Sequence, residues 1–316
     1  MSADVNTVQN IGTAAGRTGV YGTPPADLVT LPADAIQFSP LMPGASALER
    51  QGEGSLAAMT MLAPPGTLER RYAIALALRA VAPGGSFSVL APNDRGGTRL
   101  RKELQAFGCT VEEAARRHHR IVVCARPANL TGGDETLLNG GPQLVAGLEL
   151  WSQPGVFSWD RVDPGTTLLM HQLPPLSGRG ADFGCGIGIL ARAVLASAKV
   201  EQLTLVDIDQ RAIKAAQRNL DDPRVRFRWA DVRDPNPELA ELDFVVMNAP
   251  FHAAGTEDRA LALGFVKRAA AVLCNGGVCW LVANRHLPYE AIMKPLFKRL
   301  DLKIETGGYK IFEARK

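Results

Sequence analysis

Residues 181–190 read ADFGCGIGIL: a short apolar run breaks into alternating glycines at 184, 186 and 188 and resumes as a helix-forming stretch. Glycines at those places let the backbone turn sharply from a strand into a helix, and they leave N–H groups bare toward a ligand. Such a turn needs a strand before it and a helix behind it, which commits the surrounding chain to an α/β layer architecture. Alone it does not choose among nicotinamide, flavin and adenosyl-methionine binders.

The pattern around it agrees. After GADF (180–183), apolar periodicity predicts helices over 189–197, 210–220, 257–273 and 288–299. Between them it predicts strands at 202–206, 225–229, 244–247 and 278–283, with two closing strands near 301–305 and 309–314. Strands joined by helices imply a parallel sheet, and the last two, separated only by TGGY, imply an antiparallel finish. A weaker copy precedes it: an apolar helix with Tyr72, Ile74, Ala75 and Leu78, a strand SFSVLAP, a turn NDRGGT, a helix from Leu100 to Phe107 and a strand at 121–125. The expectation is an α/β protein of two tandem Rossmann-like domains, the C-terminal one with a seven-stranded, mostly parallel sheet. Residues 1–26 read as a disordered Gly- and Thr-rich tail and 126–143 as a linker, so the domains would cover 27–140 and 141–316.

Composition excludes several classes. Of 316 residues, 46% are hydrophobic and 21% charged, as in ordinary globular proteins. Five cysteines include no C-x-x-C pair and no zinc-ligand spacing, so no metal site or disulfide framework is expected. No signal-peptide pattern opens the chain and no apolar run is long enough for a bilayer, which fits a reducing cytoplasm. The net charge of +3 arises in the second half, with 13 basic and 13 acidic groups in residues 1–150 and 22 and 19 afterwards. That excess is compatible with a polyanionic partner, and a solvated surface explains it equally well.

Chemistry gathers at strand ends. Asp182 and Gly184, Gly186 and Gly188 close the first strand; Asp207 closes the next, 23 residues after Gly184, where it can accept from both ribose hydroxyls of an adenosine. Asp209 beside it reads as the N-cap of the following helix. Asp231 closes the third strand, where a carboxylate can accept from an adenine amino group or simply open a loop. The fourth strand ends in Asn248-Ala249-Pro250-Phe251. An amino group on an aromatic ring is a poor nucleophile because its lone pair is delocalised. Two acceptors, the Asn248 side-chain oxygen and the Ala249 carbonyl, can bind its N–H bonds and turn the lone pair toward an electrophilic methyl. Pro250 sets the turn and Phe251 offers a stacking face.

The stretches PGVFSWDRVDPGTTLLM, ADFGCGIGIL, LTLVDID, MNAPFHAAG, LVANRHLPYE and TGGYKIFEARK, in that order, resemble the catalytic domain of the bacterial ribosomal RNA small-subunit methyltransferase C family. The resemblance covers residues 155–316 and implies a transfer from S-adenosyl-methionine (AdoMet) to the exocyclic N2 of a guanine, with ribosomal RNA or the small subunit as partner; a monomer is expected, though no residue pattern sets the oligomeric state. It also implies that the N-terminal half is a degenerate methyltransferase-like domain that supports substrate binding. The family usually has Pro where this chain has Ala249; a carbonyl is kept and rigidity is lost. Related amino-methyltransferases use similar loops, so large-subunit guanine-N2, adenine-N6 and protein-glutamine methylation remain alternatives. So does an RNA-binding protein without activity, while a nicotinamide oxidoreductase lacks a hydride-transfer acid.

Lesser candidates are the basic runs RRHHR (116–120) and Lys294, Lys298, Arg299, Lys303 and Lys310, for which a solvated face is the simpler reading. His252 borders the expected pocket, Phe157 and Trp159 could cover it, and Cys185 needs no chemistry.

Overall fold

The computed structural model describes residues 16–249, 252–253, 256–257 and 259–316. Pro250, Phe251 and the His252 side chain lie outside the described residues. The chain separates into two compact units, one ending at Gly141 and one from Pro142 to Lys316.

The first unit contains β1 (Thr18–Tyr21), β2 (Ile36–Phe38), β3 (Leu56–Leu62), α1 (Thr67–Ala80), β4 (Val81–Pro92), α2 (Leu100–Ala106), β5 (Val111–Arg116), β6 (His119–Ala125) and α3 (Gly133–Gly140). Its sheet runs β2-β1-β3-β4-β6-β5, parallel as far as β4 and antiparallel beyond. Two expectations are corrected here. The tail expected through residue 26 contains β1, which pairs on both sides with β2 and β3. Only Val20 and Tyr21 of TGVY carry apolar bulk, so this strand draws its stability from neighbours rather than from its own composition. The expected linker contains α3, which packs on α1 so closely that a Cβ on Gly140 would lie 2.5 Å from Tyr72 Cβ. The charged strand β5 was not anticipated. It turns into β6 through Arg117 and His118, both at positive φ (46° and 61°) as two-residue hairpins require.

The second unit opens with a hairpin of β7 (Gln143–Val145) and β8 (Leu150–Ser152). There follow α4 (Pro164–Gln172), β9 (Gly178–Phe183), α5 (Ile189–Leu195), β10 (Val200–Asp207), α6 (Gln210–Asn219), β11 (Val225–Trp229) and β12 (Leu242–Asn248). Two short strands, β13 (His252–Ala253) and β14 (Thr256–Glu257), precede α7 (Arg259–Val272), β15 (Leu273–Asn284), α8 (Tyr289–Met293), β16 (Arg299–Thr306) and β17 (Tyr309–Arg315). The sheet is seven-stranded in the order β11-β10-β9-β12-β15-β17-β16, with only β17 antiparallel to its neighbours, as the sequence pattern implied. The helix expected over 288–299 shrinks to α8, because Pro295 has no N–H to continue the ladder.

Alternation along the strands builds two layers. Phe183, Val245, Met247 and Leu281 pack with Ala262, Phe265, Val266 and Ala269 of α7 on one face. Leu203, Leu205, Phe244, Val246 and Ile311 pack with Leu169, Leu190, Val194 and Ile213 of α4, α5 and α6 on the other. With both faces covered, the chemistry is left to the strand ends.

Candidate active site

Between β9 and α5, Gly184, Gly186 and Gly188 all have left-handed φ, at 72°, 53° and 89°. They differ in surroundings. A Cβ on Gly188 would lie 2.9 Å from Leu220 Cδ1, so this glycine serves close packing of the turn on the end of α6, whereas one on Gly186 would meet nothing. The turn is held from two sides. Asp207, at the end of β10, accepts from the Gly186 N–H through Oδ2 and from the Asp209 N–H through Oδ1, each at 2.8 Å. Asn219 donates to the carbonyls of Ile187 and Trp151 at 3.0 and 2.9 Å and accepts from the Trp151 N–H at 2.7 Å. Asp209 is the N-cap of α6, accepting from Arg211 N–H, as its sequence position implied.

Asp182 lies one strand over, 1% exposed, and neither carboxylate oxygen has a hydrogen-bond partner among the described residues. Burial, then the charge of Asp207, pushes its carboxyl up to about 8; burial pushes Asp207 to about 6 against the lowering effect of its backbone donors. A buried carboxyl without a donor is unfavourable, so this edge is prepared for a ligand that brings N–H groups or positive charge. Cys185 sits between the two acids, and burial with their charges raises its thiol well above the ordinary value, so it is inert as a nucleophile.

At the end of β12, Asn248 donates through Nδ2 to Asp163 Oδ2 at 2.8 Å and to Thr166 Oγ1 at 2.9 Å. Asp163 is the N-cap of α4 and accepts from the Thr166 N–H at 2.8 Å, with Pro164 at the first helical position. Gly165 lets the ring of Tyr309 close on this cap, since a Cβ there would lie 2.7 Å from Tyr309 Cε1. The D-P-x-T cap is legible in sequence; that it would meet Asn248 across 85 residues is not. Ala249 buries its methyl in the α7-side core.

Asp231 also reaches this edge, but its carboxylate already accepts from the Arg233 backbone N–H at 2.8 Å and from the guanidinium at 2.5–3.1 Å, which holds its carboxyl below the usual range. An adenine amino group there would have to share it. Trp159 packs with Val156, Ile187, Ala212 and Ala215 beside the glycine turn, while Phe157 is 71% exposed. The basic runs are partly neutralised within the chain: Arg117 pairs with Asp27, Arg120 with Glu113, Arg299 with Asp301, Lys303 with Glu313 and Lys310 with Glu290. Among the described residues no group of His, Cys, Asp and Glu is arranged to hold a metal, and no helix is long and apolar enough to cross a membrane.

Strand register shows what the first unit has lost. Tyr21 pairs with Met61 as Phe183 pairs with Met247, and Leu62, Leu90 and Ile121 align across β3, β4 and β6 as Asn248, Val282 and Ile311 do across β12, β15 and β17. Among the described residues the sheet order is the same, apart from β11, which has no counterpart there. By this register Val20 stands where the second unit has Asp182, Ser39 where it has Asp207, and Leu62 where it has Asn248. No helix joins β1 to β2. The carbonyls of Pro64 and Pro65, just past the end of β3, accept from Arg70, fully buried and paired with both carboxylate oxygens of Glu103 at 2.7 and 2.8 Å. The corresponding strand edge is therefore filled by the chain's own guanidinium.

Comparison with known proteins agrees with this division. Residues 147–313 match the methyltransferase small domain family. The ribosomal RNA small subunit methyltransferase C of Shewanella loihica is 30% identical over 253 residues, 78% of this chain and 73% of that protein. Its counterpart in Pseudomonas entomophila is 31% identical over 230 residues, 70% and 68% of the two chains. A 16S rRNA N2 methyltransferase of T. thermophilus, solved in complex with AdoMet and guanosine, shares the fold over 96% of this chain and 89% of its own, with a TM-score of 0.78 at 22% identity. With acids and glycines kept at one strand edge and lost at the other, and with relatives matched across both halves, this chain belongs to the ribosomal RNA small subunit methyltransferase C family.

Proposed function

We propose that this protein methylates the exocyclic N2 of a guanine in 16S ribosomal RNA, in the cytoplasm, using AdoMet. The observation that carries the proposal is the convergence of Asp182, Asp207 and Asn248 at the ends of the adjacent strands β9, β10 and β12. The cofactor fits the residues present: Asp182 offers two unpartnered oxygens, Gly186 faces open space, and Asp207 holds the turn between them. Gly184, Gly186 and Gly188 would line its chain, Asp182 its amino end and Asp207 its ribose, with Asp231 at the adenine. When bound, the cofactor supplies a methyl group on a sulfonium.

Asn248 and the Ala249 carbonyl accept the two N–H bonds of the substrate amino group and orient its lone pair. Pro250 and Phe251, outside the described residues, keep in this reading the roles their residue types suggest, a rigid turn and a stacking face for the base. No strong base is needed, because the nitrogen becomes acidic only once it carries the methyl. In a duplex this nitrogen lies against the partner strand, so the base must be extruded or already unpaired. The first unit, its own edge filled by Arg70, serves substrate binding and support rather than transfer.

Incubation of the purified protein with isotopically labelled AdoMet and either 16S RNA or small subunits, followed by nucleoside mass spectrometry, tests this. Label in N2-methylguanine is the expected result. Label only in N6-methyladenine or in protein, or cofactor binding without any transfer, would replace this reading with one of the alternatives named above.

A further inference from the structure

The contact between Asn248 and the cap of α4 has a chemical asymmetry that a helix cap does not require. An Asn side chain is nearly symmetric in shape, and turning its amide over exchanges an acceptor for a donor. Facing a substrate amino group, the oxygen attracts its N–H bonds while the NH2 repels them. The orientation is decided from behind. Asp163 Oδ2 takes the Asn248 Nδ2 hydrogen at 2.8 Å, and a carboxylate has nothing to donate to an amide oxygen. Thr166 Oγ1 takes the other Nδ2 hydrogen at 2.9 Å and points its own hydrogen to Asp163 Oδ2 at 3.4 Å, so Asp163 sets the Thr166 hydroxyl as well.

We propose that Asp163 is the positioning residue of methyl transfer, fixing the Asn248 amide with its oxygen toward the substrate amino group. This rests on the methyl-transfer reading above. Capping α4 accounts for the bond from the Thr166 N–H; the same oxygen also takes the Asn248 Nδ2 hydrogen, which a cap does not require, and only a carboxylate leaves no donor that could turn to that position. The cap is held in place by the Tyr309 ring packed on Gly165, which leaves no room for a Cβ. Asp163 therefore acts from the N-terminus of a helix that packs on β15 and β17.

In Asp163→Asn the single position that takes both the Thr166 N–H and the Asn248 Nδ2 hydrogen can hold an NH2 instead of an oxygen, which admits the reversed Asn248 amide at the expense of the cap bond. This variant is expected to lower kcat by about 10- to 100-fold, below the roughly 10²- to 10³-fold of losing a transition-state partner outright, with the KM for AdoMet little changed and the stability reduced by no more than one helix cap contributes. Asn248→Asp sets two carboxylates against each other and is also expected to lose activity. The double variant D163N/N248D restores one donor facing one acceptor, with an oxygen again toward the substrate, and is expected to recover at least about tenfold over the weaker single variant. Unchanged kcat in Asp163→Asn overturns the inference. So does a parallel loss of melting temperature and cofactor affinity with no recovery in the double variant.

The side-chain amide signals of Asn248 in a 15N spectrum, assigned by their loss in Asn248→Ala, test the same contact without substrate. Two distinct hydrogen-bonded protons that shift in Asp163→Asn are expected, and signals indifferent to that change overturn the inference. If instead the wild-type protein transfers no methyl to guanine while these signals respond, the functional reading fails and the positioning contact stands.

Discussion

Asp207 accepts the Gly186 N–H at 2.8 Å, so the acid expected to meet the ribose also holds the glycine turn in shape before any ligand arrives. Asp207→Ala removes an acceptor from two backbone donors, Gly186 and Asp209. A loss of about 2 kcal/mol in stability is expected, together with at least a 100-fold loss of cofactor affinity, from urea unfolding and calorimetry.

Gly186 and Gly188 separate packing from binding. Gly188→Ala drives a methyl against Leu220 and strains a left-handed residue, so it should lower the melting temperature and cofactor affinity together. Gly186→Ala bears a similar backbone strain but points its methyl into open space. It should cost about 1 kcal/mol of stability while reducing cofactor affinity disproportionately, as thermal unfolding with and without AdoMet would read.

The raised carboxyls make pH informative. Asp182 near 8 and Asp207 near 6 hold protons in the folded protein that the unfolded chain releases near pH 4. The stability of the ligand-free protein should therefore fall as pH rises from about 4 to 8. Asp182→Asn should flatten the portion between 6 and 8. A cationic cofactor favours the ionised form, so its affinity should rise across that window, with protons taken up by the buffer in calorimetry.

Asn248→Ala removes the acceptor at the end of β12 while leaving the glycine turn and Asp207 untouched. A fall in kcat of about 10²- to 10³-fold is expected, with the Kd for AdoMet within a few-fold of wild type.

In the first unit, Arg70→Ala leaves the largely covered Glu103 without its cation, and Arg70→Lys cannot restore the two-pronged contact. A loss of about 3–5 kcal/mol in the unfolding transition of that unit is expected for the Ala variant. Cofactor affinity of the second unit should be unchanged, which calorimetry on the full chain would check.

The second unit was legible because its central strands carry unbroken apolar runs such as FVVM and VCWLVA, and its chemistry sits where such strands stop. The glycine turn, Asp207 and Asn248 could be found from those ends alone. The first unit was harder to read: β1 offers two buried side chains in four residues, α3 hides in a Gly- and Asn-rich stretch, and half of β5 is charged. Each draws its stability from the neighbour it pairs with or packs on, which local pattern does not record. Asp163 and Thr166 were visible as a helix start, but their meeting with Asn248 depends on the crossing of α4 over the sheet edge. Asn219 was silent for the same reason, its role lying in a carbonyl supplied 32 residues earlier.

Two sheets of like strand order in one chain carry a hazard during folding, since a segment of either can dock in register on the wrong partner. The Arg70–Glu103 pair would make such an error costly. If α1 and its preceding loop docked on the second sheet, they would bring a guanidinium away from Glu103, the carboxylate that neutralises it in its own unit. A hybrid core of that kind would bury a guanidinium without its partner, so the ion pair that fills this edge is expected to disfavour it.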